Sequence, residues 1–199
     1  MNFPNLCPLL LCGTVLRDII IRKSFGGTNM SVYFYGCMTL DGYLADKNHC
    51  LDWLHETGTT EDTGYEAFYQ NMDITIMGRR TFREIENLKD AGNIYPTTRN
   101  FVFTHAERLP IEGFTPVNGD VVEFVRQLGT EKNIWIIGGN TVLAPLLDAD
   151  MVDQMIIQIA PVLLGDGIPL FAQEEALKRF HLDAVKKHGQ FAELIYSKR

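Results

Sequence analysis

Ile134-Trp135-Ile136-Ile137-Gly138-Gly139-Asn140-Thr141-Val142 runs an apolar stretch of strand length into a Gly-Gly turn and then into a helical pattern. Glycine removes the Cβ that would keep a ligand from the backbone, and the first N–H groups of a helix are unpaired donors at its positive end. In outline this is a pyrophosphate cradle. A Gly-Gly turn of this kind is more often only a tight connection, so the reading needs a second signal. Ile74-Thr75-Ile76-Met77-Gly78-Arg79-Arg80-Thr81-Phe82 supplies it, again a strand meeting a helix start through glycine. Two arginines and a threonine stand where N–H groups would face an anion, and guanidinium forks match phosphate oxygens. Paired arginines there oppose the helix dipole, so something must compensate for them, and a bound phosphate would. Neither G-x-G-x-x-G nor G-x-x-x-x-G-K-[ST] occurs, so dinucleotide binding must use another layout.

Outward from these junctions, short apolar runs bounded by turn residues predict buried strands at Val32–Met38, Ile74–Met77, Asn100–Phe103, Ile134–Ile137 and Met155–Ala160. Helical patterns lie between them at Glu61–Asn71, Thr81–Leu88, Asp120–Leu128 and Thr141–Leu147. Asp120-Val121-Val122-Glu123 resembles a capping box, and Asn140 is the expected N-cap of the helix after Gly138-Gly139. Such alternation implies parallel pairing with helices on both faces of one sheet. Phe180–Lys187 and Phe191–Tyr196, joined at His188-Gly189, read as a hairpin that closes one edge.

The 199 residues, 46% hydrophobic and 22% charged, describe one soluble globular domain. A formal charge of -7 argues against nucleic acid and against an anionic membrane surface, so the expected partner is a small molecule. The four cysteines, Cys7, Cys12, Cys37 and Cys50, form no C-x-x-C pair, which fits a reducing, cytoplasmic setting. The histidines show no ligand spacing, so no metal site is expected, and His49, His55, His181 and His188 read as scattered surface residues. Residues 1–29 look foreign to the rest. Their apolar run Pro8–Leu16 has no Lys or Arg ahead of it, and Arg17 and Asp18 interrupt it, so a secretory signal is not expected. Gly26-Gly27-Thr28-Asn29 can be encoded by a purine-rich ribosome-binding site, which makes Met30 the expected start and residues 30–199 the domain.

Leu40-Asp41-Gly42-Tyr43-Leu44-Ala45, Leu51-Asp52-Trp53, Met77 to Phe82, Gly138-Gly139 and Ala160 to Phe171, in that order, resemble the dihydrofolate-reductase superfamily. The similarity is closest to the RibD C-terminal reductase domain of bacterial riboflavin biosynthesis. It implies a three-layer α/β/α fold with a mostly parallel central sheet closed by a C-terminal antiparallel hairpin. It also implies an NADPH-dependent oxidoreductase acting on a pterin-like or pyrimidine-like molecule, and a homodimer. By the same resemblance Gly78, Arg79, Arg80 and Thr81 would hold the adenosine 2′-phosphate and pyrophosphate, and Thr104 with His105 would edge the adenosine. Gly138, Gly139, Asn140 and Thr141 would take the pyrophosphate and the nicotinamide-side ribose, while Cys37 and Leu44 would flank the nicotinamide.

For the substrate, folate reductases place an acid early in the first long helix, a position that falls near Gly64 here. Glu66 or Asp62 would substitute as catalytic acid, although both also read as solvent-facing charges. Trp53, Tyr65 and Phe68 could wall a flat heterocycle or simply fill the core. Tyr43 stands where the riboflavin branch usually has a basic or polar residue, and the cysteine and histidine ligands of the zinc deaminase domain that usually sits beside that branch do not occur in this sequence. Dihydrofolate reduction and a binding-only NADPH sensor or inactive scaffold therefore stand as alternatives.

Overall fold

The structure is a computed structural model, described here over residues 30–58, 63–129, 132–172 and 177–199. In chain order the elements are β1 (Ser31–Thr39), β2 (Tyr43–Ala45), α1 (Asp52–Thr57), α2 (Tyr65–Tyr69), β3 (Ile74–Gly78) and α3 (Arg79–Glu86). There follow β4 (Arg99–Phe103), β5 (Phe114–Val117), α4 (Val121–Gln127), β6 (Asn133–Gly138), α5 (Asn140–Asp148) and β7 (Gln154–Ala160). The chain ends with β8 (Ile168–Pro169), β9 (Phe180–His188) and β10 (Phe191–Lys198). The extension and start site inferred for residues 1–29 lie outside the described residues.

One eight-stranded sheet runs β5-β4-β3-β6-β1-β7-β10-β9. Every pairing from β5 to β7 is parallel, and β10 joins β7 and β9 antiparallel. The mostly parallel sheet with its antiparallel C-terminal hairpin is thus as the sequence implied.

Side-chain parity divides the interior in two, because successive residues of a strand point to opposite faces. Val32 and Phe34 of β1, Ile74 and Ile76 of β3, and Ile134 and Ile136 of β6 share one face, covered by Val121 and Val125 of α4 and by Val142, Leu143 and Leu146 of α5. Tyr33 and Tyr35, Met77, Trp135 and Ile137 share the other, covered by Tyr65, Phe68 and Tyr69 of α2 and by Phe82 and Ile85 of α3. Two faces, each with its own helices, make three layers.

Several boundaries differ from expectation for identifiable reasons. β5 carries Pro116, which cannot donate to a ladder, and it is tolerated because β5 is an outer strand paired only with β4. α2 covers only five residues of the predicted Glu61–Asn71, part of which lies outside the described residues. The predicted capping box is half formed: Asp120 Oδ1 accepts from the Glu123 N–H at 2.9 Å. Asn140 is not the cap of α5. Gly139 holds that position, and Asn140 is the first helical residue, its Nδ2 donating to Pro169 O at 3.0 Å.

Candidate active site

A cleft of about 750 Å³ opens at the carboxyl ends of β1, β3 and β6, the side of an open α/β sheet where ligands bind. Both glycine junctions line it, and they are neighbours. β3 and β6 pair in parallel with Met77 opposite Gly138. A Cβ added at Gly78 would lie 3.8 Å from Gly139 N and 3.8 Å from Thr141 Oγ1, and one at Gly139 would lie 3.8 Å from Thr81 Oγ1. Each helix therefore sets its threonine against the glycine of the other, and any side chain at Gly78 would fill the gap between them. Gly138 has φ +129°, a conformation open to glycine and strained for other residues. The Gly138–Gly139 peptide is cis.

The helix starts differ in a way that bears on anions. α4 has its first-turn donor satisfied by Asp120, whereas α3 and α5 begin at Gly78 and Gly139 with no side-chain cap. At these two positive helix ends, beside the cleft, no side chain caps the first-turn N–H groups. The two arginines are not equivalent. Arg79 is held by Glu86 one helix length away, with Nη1 and Nη2 donating to the carboxylate at 2.7 and 3.3 Å, and its guanidinium lies 5.2 Å from the Phe82 ring centre. Its compensation is already built into α3, contrary to the expectation that it waits for phosphate. Arg80 is exposed and has no ion pair among the described residues.

Of the residues expected to touch the cofactor, Cys37, Leu44, Gly78, Arg79, Arg80, Thr81, His105, Gly138, Gly139, Asn140 and Thr141 line this one cleft. Thr104 does not. Its N–H donates to Val117 O and its Oγ1 accepts from the Ala106 N–H, so the hydroxyl is spent on the turn after β4. Cys37 is buried at the end of β1, and that burial pushes its thiol up to about 12, so it meets the cleft as a neutral, small group.

Past Cys37 the walls turn apolar, with Leu51 and Leu54 of the loop and α1, Ile85 of α3, and Ile137. The first loop is pinned there by Asp41, which accepts from Thr39 Oγ1 at 2.5 Å and from the Leu164 and Gly165 N–H groups at 3.0 and 2.8 Å. Those bonds hold the Asp41 carboxyl below its ordinary range. The substrate-side expectations fare less well. Glu66 lies on α2 away from the cleft, its Oε1 accepting from Gln70 Nε2 at 3.0 Å, so it is no acid for this site. Asp62 lies outside the described residues.

Tyr65 and Phe68 are core rather than a ligand wall: both rings pack edge-on against Trp135 and lie against Tyr35. Trp53 sits behind the cleft with Cys37, Leu54, Ala160 and Phe191, and its Nε1–H is buried without a partner among the described residues.

Two residues were missed. His49, read as a surface residue, lines the cleft. Asp46 Oδ1 accepts from the Asn48 and Cys50 N–H groups at 2.8 Å, and the tight loop presents His49 in the left-handed region at φ 67°. The Asp-Lys-Asn-His run was the available signal, since Asp, Asn and His favour such turns. Glu84 of α3 also lines the cleft, on the exposed face that no periodicity argument singles out. His188, likewise read as a surface residue, is buried and paired to Glu193. Among the described residues no cluster of His, Cys, Asp and Glu could hold a metal, and no helix is long and apolar enough to cross a membrane.

Known proteins share this arrangement of strands and helices. The uncharacterised Bacillus subtilis (strain 168) protein YwjB is 34% identical over 165 residues, which cover 81% of this chain and 94% of YwjB. A solved Shewanella sp. PV-4 protein, whose name attaches it provisionally to riboflavin biosynthesis, superposes with a TM-score of 0.75 at 27% identity, covering 85% of this chain and 99% of its own. The dihydrofolate reductase of Enterococcus faecalis, in complex with NADP(H), shares the fold at a TM-score of 0.55 and 13% identity, over 85% of this chain and 96% of its own. The model of the RibD C-terminal domain matches residues 31–192. With the cleft, the paired glycine junctions and that match over most of its length, this chain belongs to the RibD C-terminal domain family.

Proposed function

We propose that the protein is an NADPH-dependent reductase that transfers hydride to a ring or sugar carbon of a pterin-like or pyrimidine-like small molecule. The reading rests on one observation: two uncapped helix starts, α3 and α5, converge through Gly78 and Gly138-Gly139 on a single cleft that no side chain fills. A dinucleotide pyrophosphate is the ligand that such a double cradle suits. Arg80, uncompensated and at the α3 N-terminus, is the group for an adenosine 2′-phosphate, and His105 stands at the adenosine end. Asn140 and Thr141 are placed for the ribose side, and Cys37 and Leu44 for the nicotinamide.

Bound NADPH would supply the hydride. The protein's share is to hold an acceptor against it in an apolar pocket, and orientation of that kind removes about 7–11 kcal/mol from a bimolecular barrier. The apolar walls of Leu51, Leu54 and Ile85 serve that exclusion of water. A cytoplasmic homodimer belongs to the same reading, and light scattering that returned only the monomer mass would remove its second half.

The test is NADPH oxidation measured against dihydrofolate, dihydrobiopterin, quinonoid pterins and ribosylaminopyrimidines, with NADH as control. Turnover of one class with a clear preference for NADPH is expected. Tight NADPH binding with no turnover of any class would favour the sensor or scaffold reading, and equal affinity for the two cofactors would refute the role given to Arg80.

A further inference from the structure

His49 and Glu84 both line the cleft, and neither has a task in the cofactor's binding. His49 belongs to the loop between β2 and α1, on the β1 side of the sheet, whereas His105, also in the lining, follows β4. The two imidazoles therefore mark opposite ends of one cleft, with the paired glycine junctions of β3 and β6 between them.

The loop that carries His49 closes on itself. Asp46 Oδ1 accepts from the Asn48 and Cys50 N–H groups at 2.8 Å, the Asp46 N–H donates to Cys50 O at 3.2 Å, and the His49 N–H donates to Asp46 O at 3.0 Å. These bonds hold His49 at φ 67°, a conformation that costs free energy in any residue but glycine and that Asn, Asp and His bear best. The base of the loop is braced as well. Ala45 pairs with Ile168 of β8, and the neighbouring Pro169 O accepts from Asn140 Nδ2 at the start of α5. A half-buried histidine on a closed, braced loop at a cavity wall is a placed group.

Glu84 comes from α3. It lies three residues past Thr81, about 4.5 Å further along the helix axis, so the helix face that starts at the phosphate junction continues to a carboxylate beside Ile85. Its charge reaches the His49 loop. The Asp46 charge foremost, with desolvation, Asp52 and Glu84 after it, pushes the Cys50 thiol up, so three carboxylates bear on this end. Among the described residues no Lys or Arg lines it. Arg79 and Arg80 stand back at the α3 start, and Lys47, the loop's own cation, is exposed and outside the lining.

We propose that His49 is the proton donor of the cleft, and that its substrate end takes a heterocycle without a phosphate tail, oriented by an N–H edge against Glu84. The inference rests on the reductase reading and narrows it to the pterin-like class. Hydride addition to the carbon of a ring C=N leaves the nitrogen short of one proton. The imidazolium N–H bond of His49 breaks, directly or through one water, as the new N–H bond forms on that nitrogen, and solvent at the open rim returns a proton to the neutral imidazole. Ionised Glu84 only accepts, so it pairs with the row of amino and amide N–H groups that a pterin edge presents. A phosphate at this end would meet carboxylates and no cation in the wall.

Nuclear magnetic resonance of the cofactor-free protein with isotope-labelled histidine tests the placement without turnover. The sequence holds five histidines, and loss of one signal in each of His49→Asn and His105→Asn assigns the two that matter. Asparagine suits φ 67°, so the first variant keeps the loop and removes only the donor. Dihydropterin should move the His49 signal and leave His105 in place, and adenosine 2′,5′-bisphosphate should do the reverse. Glu84→Gln should weaken dihydropterin by about tenfold, the scale of one charged hydrogen bond. In dihydropterin reduction His49→Asn should lower kcat by about 100-fold or more, with KM and NADPH affinity near the parent's. A dihydropterin titration that leaves His49 unmoved overturns the proposal, and so does tighter binding of a ribosylaminopyrimidine phosphate than of dihydropterin. A bisphosphate titration that leaves His105 unmoved would instead break the cofactor reading, and the dihydropterin result would still decide this one.

Discussion

At the carboxyl ends of β3 and β6 the cleft is made of backbone: three glycines, two uncapped helix starts and a pair of crossed threonines. Past Cys37 its walls are made of apolar side chains. The first half binds by what has been removed, since every Cβ missing there exposes an N–H. The second half offers shape and an apolar wall. A phosphate site made of backbone tolerates little substitution, while an apolar pocket can be relined for another substrate, so one cofactor with varied acceptors is the expected outcome of this architecture.

The largest effect should follow from putting a side chain back. Gly138→Ala forces a non-glycine residue to φ +129° at about 1–3 kcal/mol of stability, and it should also weaken NADPH by about 100-fold or more. Gly129→Ala separates the two consequences. Gly129 also has positive φ, at 83°, with nothing within 4 Å of an added Cβ and no place in the cleft lining. It should cost comparable stability and leave NADPH affinity unchanged, as read by thermal melting and equilibrium titration. If both variants lost cofactor equally, the backbone-cradle account of the first half would fail.

That half was legible because its chemistry is local. A glycine between an apolar run and a helical pattern is a statement about a few consecutive residues, and the parity of Val32, Phe34, Ile134 and Ile136 carries the sheet face in the same way. The polar group buried behind that half was not legible, because its members meet only through strand register. Glu193 and Gln158 are 35 residues apart in sequence, and Gln158 and Tyr35 123 apart. Glu66 looked suitable because it sits near the expected helix position, yet α2 turns it toward Gln70. Tyr65 and Phe68 have the helical spacing of a core stripe, and they form one. β5 was hidden by Pro116, whose tolerance depends on an edge position that no local pattern announces.

A smaller effect distinguishes the two arginines within the first half. Arg80→Ala should weaken NADPH by about 1–3 kcal/mol, with little change for NADH, because it removes one charge-assisted contact to the 2′-phosphate. Arg79→Ala should cost less. Arg79 would have to leave a two-point bond with Glu86 and its place over Phe82 before reaching phosphate, so much of any gain is offset. Glu86→Gln sharpens the contrast: by loosening Arg79 it should tighten NADPH slightly in the parent and have no effect in Arg79→Ala. Isothermal titration of the four proteins reads the cycle, and an Arg79→Ala loss larger than that of Arg80→Ala would reverse the assignment.

The smallest expected effect lies at Cys37, where the two halves join. Burial, offset in part by hydrogen bonds with the Ala160 and Met38 backbone, moves its thiol to about 12, whereas in the unfolded chain a cysteine ionises at about 8.5. A group whose folded value is raised contributes stability that is complete below the unfolded value and lost as pH rises toward the folded one. Stability read by denaturant unfolding should therefore fall between about pH 8.5 and 12, and Cys37→Ala should remove that group's part of the slope while costing some packing at every pH. The same neutral thiol predicts slow chemistry. Iodoacetamide near pH 7 should modify the exposed Cys50 well before Cys37, because the thiolate is the reactive form and little of it exists at the buried site. Saturating NADPH should slow Cys37 further and leave Cys50 unchanged, if the nicotinamide lies against the end of β1. Rapid alkylation of Cys37 would mean that the end of β1 opens to solvent, and the boundary between a backbone half and an apolar half would then have to be moved.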